Sequence, residues 1–396
     1  MIEGRDGRRV AVTGIGVVAA CGTGRDAFWQ GLLAPPPIGD RVVTDFDPSR
    51  WFENPKDARR SDRFTQFAIA AATMALADGG DPGYDPGRKG VLVATGVGGL
   101  ATMEEQAVTL HDKGPRRVSP FLVPMMMANA ASAAVSMKFV WQGPCETTVT
   151  ACAASTHGIA NAARWIASGR CDAVLAGGSE AAITPLGTQG FINMTATSSS
   201  GISKPFDVTR DGFVIAEGSA VLLLEEMELA KARGATIVGE ILGGASTADA
   251  HHITAPAPGG AGAVMCMELA IADAGLVPGD IRQINAHGTS TALNDAAEAE
   301  AIAKVFGASG PPVVSTKGVT GHALGAAGAL EAVAILLSMA HRLIPPTAGT
   351  TELDPDVHID VVLGGPRAWE PGPSLSNSFG FGGHNGCLVI GPPPRA

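Results

Sequence analysis

Short apolar runs closed by glycine alternate along this chain with alanine-rich stretches of helical spacing, and that alternation narrows the possible folds more than any other feature. The runs cover residues 10–13, 91–95, 173–176, 237–242, 281–286, 313–315, 359–363 and 388–390. Each is short, apolar and bounded by turn residues, as buried strands are. Helical spacing fills residues 64–77, 155–167, 263–274, 295–305 and 328–339. Gly169, Gly275 and Gly307 stand where three of these helices should stop, because a left-handed closing residue costs glycine little. Strand and helix in alternation predict the α/β class.

Length and composition add scale. A chain of 396 residues holds two or three compact units. Charged residues make up 17% of it, against about 25% in an average soluble domain. So little charge predicts an extensive core and a subunit interface. The charged stretch 225–233, followed by Gly234, reads as a helix end and offers the best boundary, dividing the chain into halves 1–235 and 236–396. An apolar strand running into paired glycines occurs in each half, at 174–178 and 361–365, which hints at a coarse duplication.

Several classes are set aside by the same numbers. A net charge of -10 and the absence of a long basic run argue against nucleic-acid binding, which needs a basic face. Six cysteines without CxxC spacing suggest neither a zinc site nor a disulfide framework, and fit reduced thiols in a cytoplasm. Residues 323–340 approach the length of a membrane span but carry Glu331 and several glycines, so burial in protein is expected and no membrane. Arg8 and Arg9 before the apolar run 10–20 and Cys21 mimic a lipoprotein signal, yet read equally well as a first strand and its turn. Residues 2–5, Ile-Glu-Gly-Arg, look like a protease-recognition scar.

Four segments carry chemistry-bearing residues. Gly14, Gly16 and Ala19 fit a GxGxxA dinucleotide pattern, but Gly22 and Gly24 interrupt where its helix would begin, so a tight turn in a buried sheet is the better reading. Cys152 stands among Ala151, Ala153 and Ala154 at the expected start of helix 155–167, where unpaired N–H groups and the helix dipole favour a thiolate. From spacing alone it is equally a buried structural cysteine. His287 follows strand 281–286, and His322 lies in a glycine-rich loop after Lys317. Loops at strand ends are where α/β sheets assemble their sites, so a nucleophile and two donors can meet there.

These segments and others resemble the β-ketoacyl-acyl carrier protein synthases of fatty acid synthesis, the elongating type. The matches run in family order: residues 96–99, 114–120, the Cys152 segment, 176–180, 210–214, the His287 segment, 316–328 and 377–385. The resemblance implies a thiolase fold, a five-layered αβαβα body of two pseudo-duplicated halves forming a homodimer, with no cofactor and no metal. It implies that Cys152 takes the acyl chain from acyl carrier protein as a thioester, and that His287 and His322 stabilise the enolate left by decarboxylation of a malonyl thioester. The N–H groups of Cys152 and Phe381 would form the oxyanion hole. Lys317 would order the histidine loops and Glu331 would support it. Phe379 and Phe381 would gate an acyl tunnel lined by Met103 and Met125. Lys56, Arg59, Arg60 and Arg63 match the family's docking region for acyl carrier protein.

Departures from the family pattern lie at Ala154, at His384, at Gly318 and Val319, and in the short loop 195–204; they leave chain-length preference open. A polyketide-type ketosynthase would share Cys152, His287 and His322. A noncatalytic chain-length partner subunit would lack the nucleophile, and a biosynthetic thiolase would need a second catalytic cysteine.

Overall fold

The computed structural model describes residues 7–307 and 309–394; the scar-like residues 2–5 lie outside them. Ten strands follow one another across a single sheet in the order Cys145–Glu146, Lys89–Ala94, Ala173–Glu180, Gly218–Glu226, Val10–Ala19, Gly239–Ala248, His384–Gly391, Ser374–Gly380, Gln283–Asn285 and Val313–Val314. Val10–Ala19 and Gly239–Ala248 join its two sides through only three residue pairs, Val10 to Val12 against Ile241 to Gly239. Outward from that seam, each side has two antiparallel pairings and then two parallel ones. The chain thus builds the same five-strand pattern twice.

Helices fill three layers around the two halves. The helix Ala154–Ala167 packs on Ala173–Glu180 and Lys89–Ala94 from one half and on His384–Gly391 and Gly239–Ala248 from the other. Beside it, Ala327–His341 lies between Gly218–Glu226 and Ser374–Gly380 and is buried through Met339. Arg63–Gly79 covers one outer face, and Ala261–Asp273 the other. The result is the five-layered αβαβα thiolase fold. The apolar stretch Leu324–His341 is long enough for a membrane, but 89% of it is buried within the body, which makes it a core helix.

Small residues let these layers close. A Cβ on Gly328 of the inner helix would collide with Thr156 Oγ1 of its neighbour and stand 3.1 Å from Ser378 Oγ. Gly14 and Gly16 do not make a turn, as the sequence suggested; they sit inside the unbroken strand Val10–Ala19. A Cβ on either would strike backbone carbonyls of Ala75 or Ala71 in the covering helix, so these glycines serve helix-to-strand packing and no dinucleotide motif exists. Gly169, Gly275 and Gly307 close their helices at φ +73°, +71° and +74°, as expected.

Three expectations are corrected. Glu225 and Glu226 end a strand, and a separate six-residue helix Met227–Ala232 follows. Buried Glu225 is held by Arg233, Thr13 and Tyr84, so its charge marks an internal network and not a helix terminus. Residues 359–363 contribute one isolated bridge, Val361 to Val313, and no strand. The duplicate of Ala173–Glu180 is Ser374–Gly380, third from the end on its side of the sheet, not 361–365.

Candidate active site

The inner helices and the strand ends converge on Cys152. It lies in the 3₁₀ turn Ala151–Ala153, just before the helix that begins at Ala154. Ala151 takes φ +50°, a left-handed conformation that costs a non-glycine residue about 1 kcal/mol and turns the next side chain sharply out of the chain's path. Gly380 abuts this turn: a Cβ there would come within 3.0 Å of Cys152 N and 3.3 Å of Ala153 N. The missing side chain lets the 374–380 strand end approach the sulfur.

His322 Nε2 stands 3.1 Å from Cys152 Sγ. The rings of His287 and His322 meet edge to face at 5.3 Å, and all three donor atoms fall within 4.8 Å of one another. This is the only trio of metal-capable side chains so grouped among the described residues, a soft set that would suit a thiophilic ion. Phe213 packs edge-on against His322, and Phe379 against His287.

Behind the histidines lies a buried ion pair. Lys317 Nζ donates to Glu331 Oε1, to the His287 carbonyl at 2.6 Å and to His287 Nδ1 at 3.4 Å. An ammonium that donates to Nδ1 leaves the imidazole proton on Nε2. Burial, reinforced by the Lys317 charge, pushes both histidines well below their ordinary range, so both rings are neutral donors at physiological pH. Burial also raises Glu331 to about 7 against the pull of Lys317.

The cysteine departs from expectation. Burial pushes its thiol up to about 11, overcoming the Lys317 charge and the backbone N–H groups of Phe381 and Cys152 that pull it down. A resting thiol, not a thiolate, faces His322. Those two N–H groups converge on the sulfur, where they also suit a developing oxyanion.

A cavity of roughly 480 Å³ opens on the sulfur. Its lining includes the apolar Val97, Phe191, Met194, Phe213 and Leu324 and the polar Asp249, Thr254, Thr289, Thr291 and Asn385. Phe379 and Phe381 both line it. Met103 and Met125 do not: Met103 sits half-exposed on the helix Leu100–Lys113, and Met125 is partly exposed on Leu122–Met126. Lys56 and Arg59 are exposed on the short helix Pro55–Arg59, and Arg60 lies over the Phe121 ring at 4.5 Å. Arg63 is committed elsewhere. It makes a two-point ion pair with Glu217 and donates to Val43 O, so its charge is already neutralised.

Sequence reasoning missed several positioning groups. Glu298 accepts from the N–H of His287 at 2.8 Å and of Gly288 at 2.7 Å, and Asn377 donates to it. Asp295, one turn earlier, holds Ser290 N and Phe206 N. Two buried acids at i, i+3 in an otherwise alanine-rich helix were the available signal, since unpartnered burial would be costly. Glu180 likewise gathers the N–H groups of Gly96, Val97 and Gly325 around the nucleophile.

A thiolase-type body with one cysteine and two neutral histidines around a single cavity defines a carbon–carbon condensing enzyme. Models of the β-ketoacyl synthase N-terminal domain and C-terminal domain match residues 35–230 and 238–351. The chain is 44% identical to the 3-oxoacyl-[acyl-carrier-protein] synthase 2 of Synechocystis sp., covering 97% of this chain and 98% of that protein. It is 42% identical to the protein of the same name from Coxiella burnetii, with the same coverage. Among solved structures, the ishigamide ketosynthase/chain length factor superposes with a TM-score of 0.91 at 34% identity, over 98% of this chain and all of that one. A β-ketoacyl synthase from Burkholderia phymatum gives 0.89 at 33% over the same shares. This chain belongs to the β-ketoacyl synthase family.

Proposed function

We propose that the chain catalyses the decarboxylative Claisen condensation of a Cys152-bound acyl chain with malonyl-acyl carrier protein, giving 3-oxoacyl-acyl carrier protein in fatty acid elongation. The observation that carries this reading is the 3.1 Å approach of His322 Nε2 to Cys152 Sγ, with neutral His287 alongside and Lys317–Glu331 behind. Cys152 attacks the acyl thioester, and its proton leaves with the carrier thiol. Next, His287 and His322 donate to the malonyl thioester oxygen, so that loss of carbon dioxide leaves a stabilised enolate. The enolate carbon attacks the acyl-Cys152 carbonyl, whose oxyanion the N–H groups of Cys152 and Phe381 hold. Collapse expels the sulfur, and the negative charge once on the malonyl carboxylate ends there. Lys317 and Glu331 fix His287, while Phe379 and Phe381 gate the passage of the acyl chain. No step calls for a cofactor.

The acidic carrier would dock on Lys56, Arg59 and Arg60, which are exposed and make no salt bridge among the described residues, while Arg63 contributes through the fold. A solved ketosynthase in complex with its acyl-carrier protein, AntDE:AntF, superposes with a TM-score of 0.89 and supports this partner. The chain works as a homodimer. Its open edge strand Cys145–Glu146 and the exposed Met103, Val108, Leu110, Phe121, Val123 and Met127 form the face a second copy would cover, which would bring Met103 and Met125 toward an acyl chain. The mirrored strand order supports two halves, 1–235 and 236–396, and six unpaired cysteines fit a cytoplasmic setting. A pairing with a chain-length subunit is the second reading, favoured by the ketosynthase/chain length factor similarity. Acyl-carrier substrates of graded length, given with malonyl-carrier protein to the purified chain alone, separate the two. Extension of saturated primers by a dimer of one chain supports elongation; no extension of any primer overturns it.

A further inference from the structure

Arg41 is a cation buried to 2% exposure, yet among the described residues no carboxylate lies within ion-pair distance of it. Its partners are carbonyl oxygens. Nε donates to Val319 O at 3.1 Å, Nη2 to Gly318 O at 3.4 Å, and Nη1 to Gly39 O. Gly318 and Val319 belong to the four-residue helix Lys317–Thr320, whose last carbonyls have no partner within so short an element. A planar fork that bridges two neighbouring carbonyls closes that end as no single-point donor does. The backbone is tied in as well. Arg41 N donates to Ile215 O and Glu217 N to Arg41 O, while on the other side of the same segment His322 N donates to Val214 O and Ala216 N to His322 O. Gly321, at φ +66°, lies against the Arg41 side chain, with no room for a Cβ beside Arg41 Cγ.

We propose that Arg41 is a positioning residue for the condensation: it clamps the short helix that starts at Lys317 and thereby fixes Lys317 and His322 against Cys152. The inference rests on the condensing reading of the site for its catalytic arm and on geometry alone for the other. Nothing in the sequence pointed to it, since the helix carbonyls it clamps are backbone atoms nearly 280 residues away.

The test compares Arg41→Met and Arg41→Lys with Arg233→Met, which removes a partly buried guanidinium from its pair with fully buried Glu225 outside the cavity lining. Two readouts are taken per folded molecule: carbon dioxide release from malonyl-carrier protein, and alkylation of Cys152 by iodoacetamide at pH 9. For Arg41→Met the expected result is a fall of roughly tenfold or more in kcat for release, with KM little changed, because a misplacement of about 1 Å at the reacting groups is worth up to a hundredfold. Cys152 alkylation should slow several-fold as Lys317 moves off, and Arg41→Lys should recover part of both. The control should lose melting temperature alone. If Arg41→Met does not fold, Arg41→Lys carries the test. Loss of melting temperature with both readouts unchanged overturns the proposal. Wild-type protein that releases no carbon dioxide sinks the condensing reading instead, and the alkylation arm still decides Arg41.

Discussion

The state of the resting nucleophile can be decided by how its alkylation depends on pH. Two effects oppose one another at Cys152. Its place before the helix at Ala154, the Lys317 charge and two backbone N–H groups favour the thiolate, and cysteines in such places fall to about 3.5–7.5. Burial favours the thiol, and in this structure it prevails, at about 11. At pH 8 that leaves about one molecule in a thousand as thiolate, and each pH unit changes the fraction tenfold. Iodoacetamide labelling, followed by mass spectrometry of the Cys152 peptide, should accelerate about a hundredfold between pH 7 and 9 with no plateau. Buried Cys171, also raised to about 11 but outside the cavity, should label far more slowly at every pH, which separates access from acidity. Because Lys317 is the largest pull toward the thiolate, Lys317→Met should raise the Cys152 pKa and slow labelling at pH 9 by roughly tenfold for each unit of that rise. A rate that levels off below pH 8 refutes the reasoning: helix-start electrostatics would then outweigh burial. If the thiol form holds, the unloaded enzyme resists stray electrophiles and ionises its sulfur only as a thioester arrives beside His322.

Cys152→Ala should abolish condensation while malonyl decarboxylation continues, whereas His287→Ala should lose decarboxylation itself; labelled carbon dioxide release distinguishes them, and equal loss of both reactions in Cys152→Ala contradicts the division of roles. Gly328→Ala forces a methyl into Thr156 and should cost about 1–3 kcal/mol of stability, with Thr156→Ala recovering part of it in a denaturant titration. Arg60→Glu should raise KM for the carrier and leave Cys152 alkylation unaltered, while Arg63→Glu, which sets two acids against each other at Glu217, should instead lower the melting temperature.

Much of the fold was legible because its strands are apolar and its helices alanine-rich. The failures share one cause. Ser374–Gly380 was invisible as a strand because its buried face is polar: Asn377 answers Glu298, and Ser378 pairs with Thr156, partners that only the tertiary structure supplies. Gly218–Glu226 was missed as well: its acidic end read as part of the helix that follows, whereas Glu225 is paired with Arg233 eight positions on and accepts from Thr13, 212 residues back. At the site, Cys152, His287, His322 and Lys317 followed from their segments and the family resemblance. Glu180 and Arg41 hold mainly backbone atoms, which no side-chain pattern records, and Glu298 left only the trace of a second acid three residues after Asp295 in an alanine-rich helix. Met103, Met125 and Arg63 illustrate the converse, residue types that suited a role but whose placement within one protomer gives them other neighbours.

The seam between the halves has a consequence for synthesis. The strand at residues 10–19 is made well before both of its long neighbours, 218–226 and 239–248, which come more than 190 residues later. At about 5–20 residues per second, a largely apolar strand waits roughly 10–40 s on the ribosome for the long neighbours that cover its edges. The nascent protein therefore depends on whatever shelters that segment, and slowing translation just before residue 218 should lower soluble yield more than slowing it after residue 248.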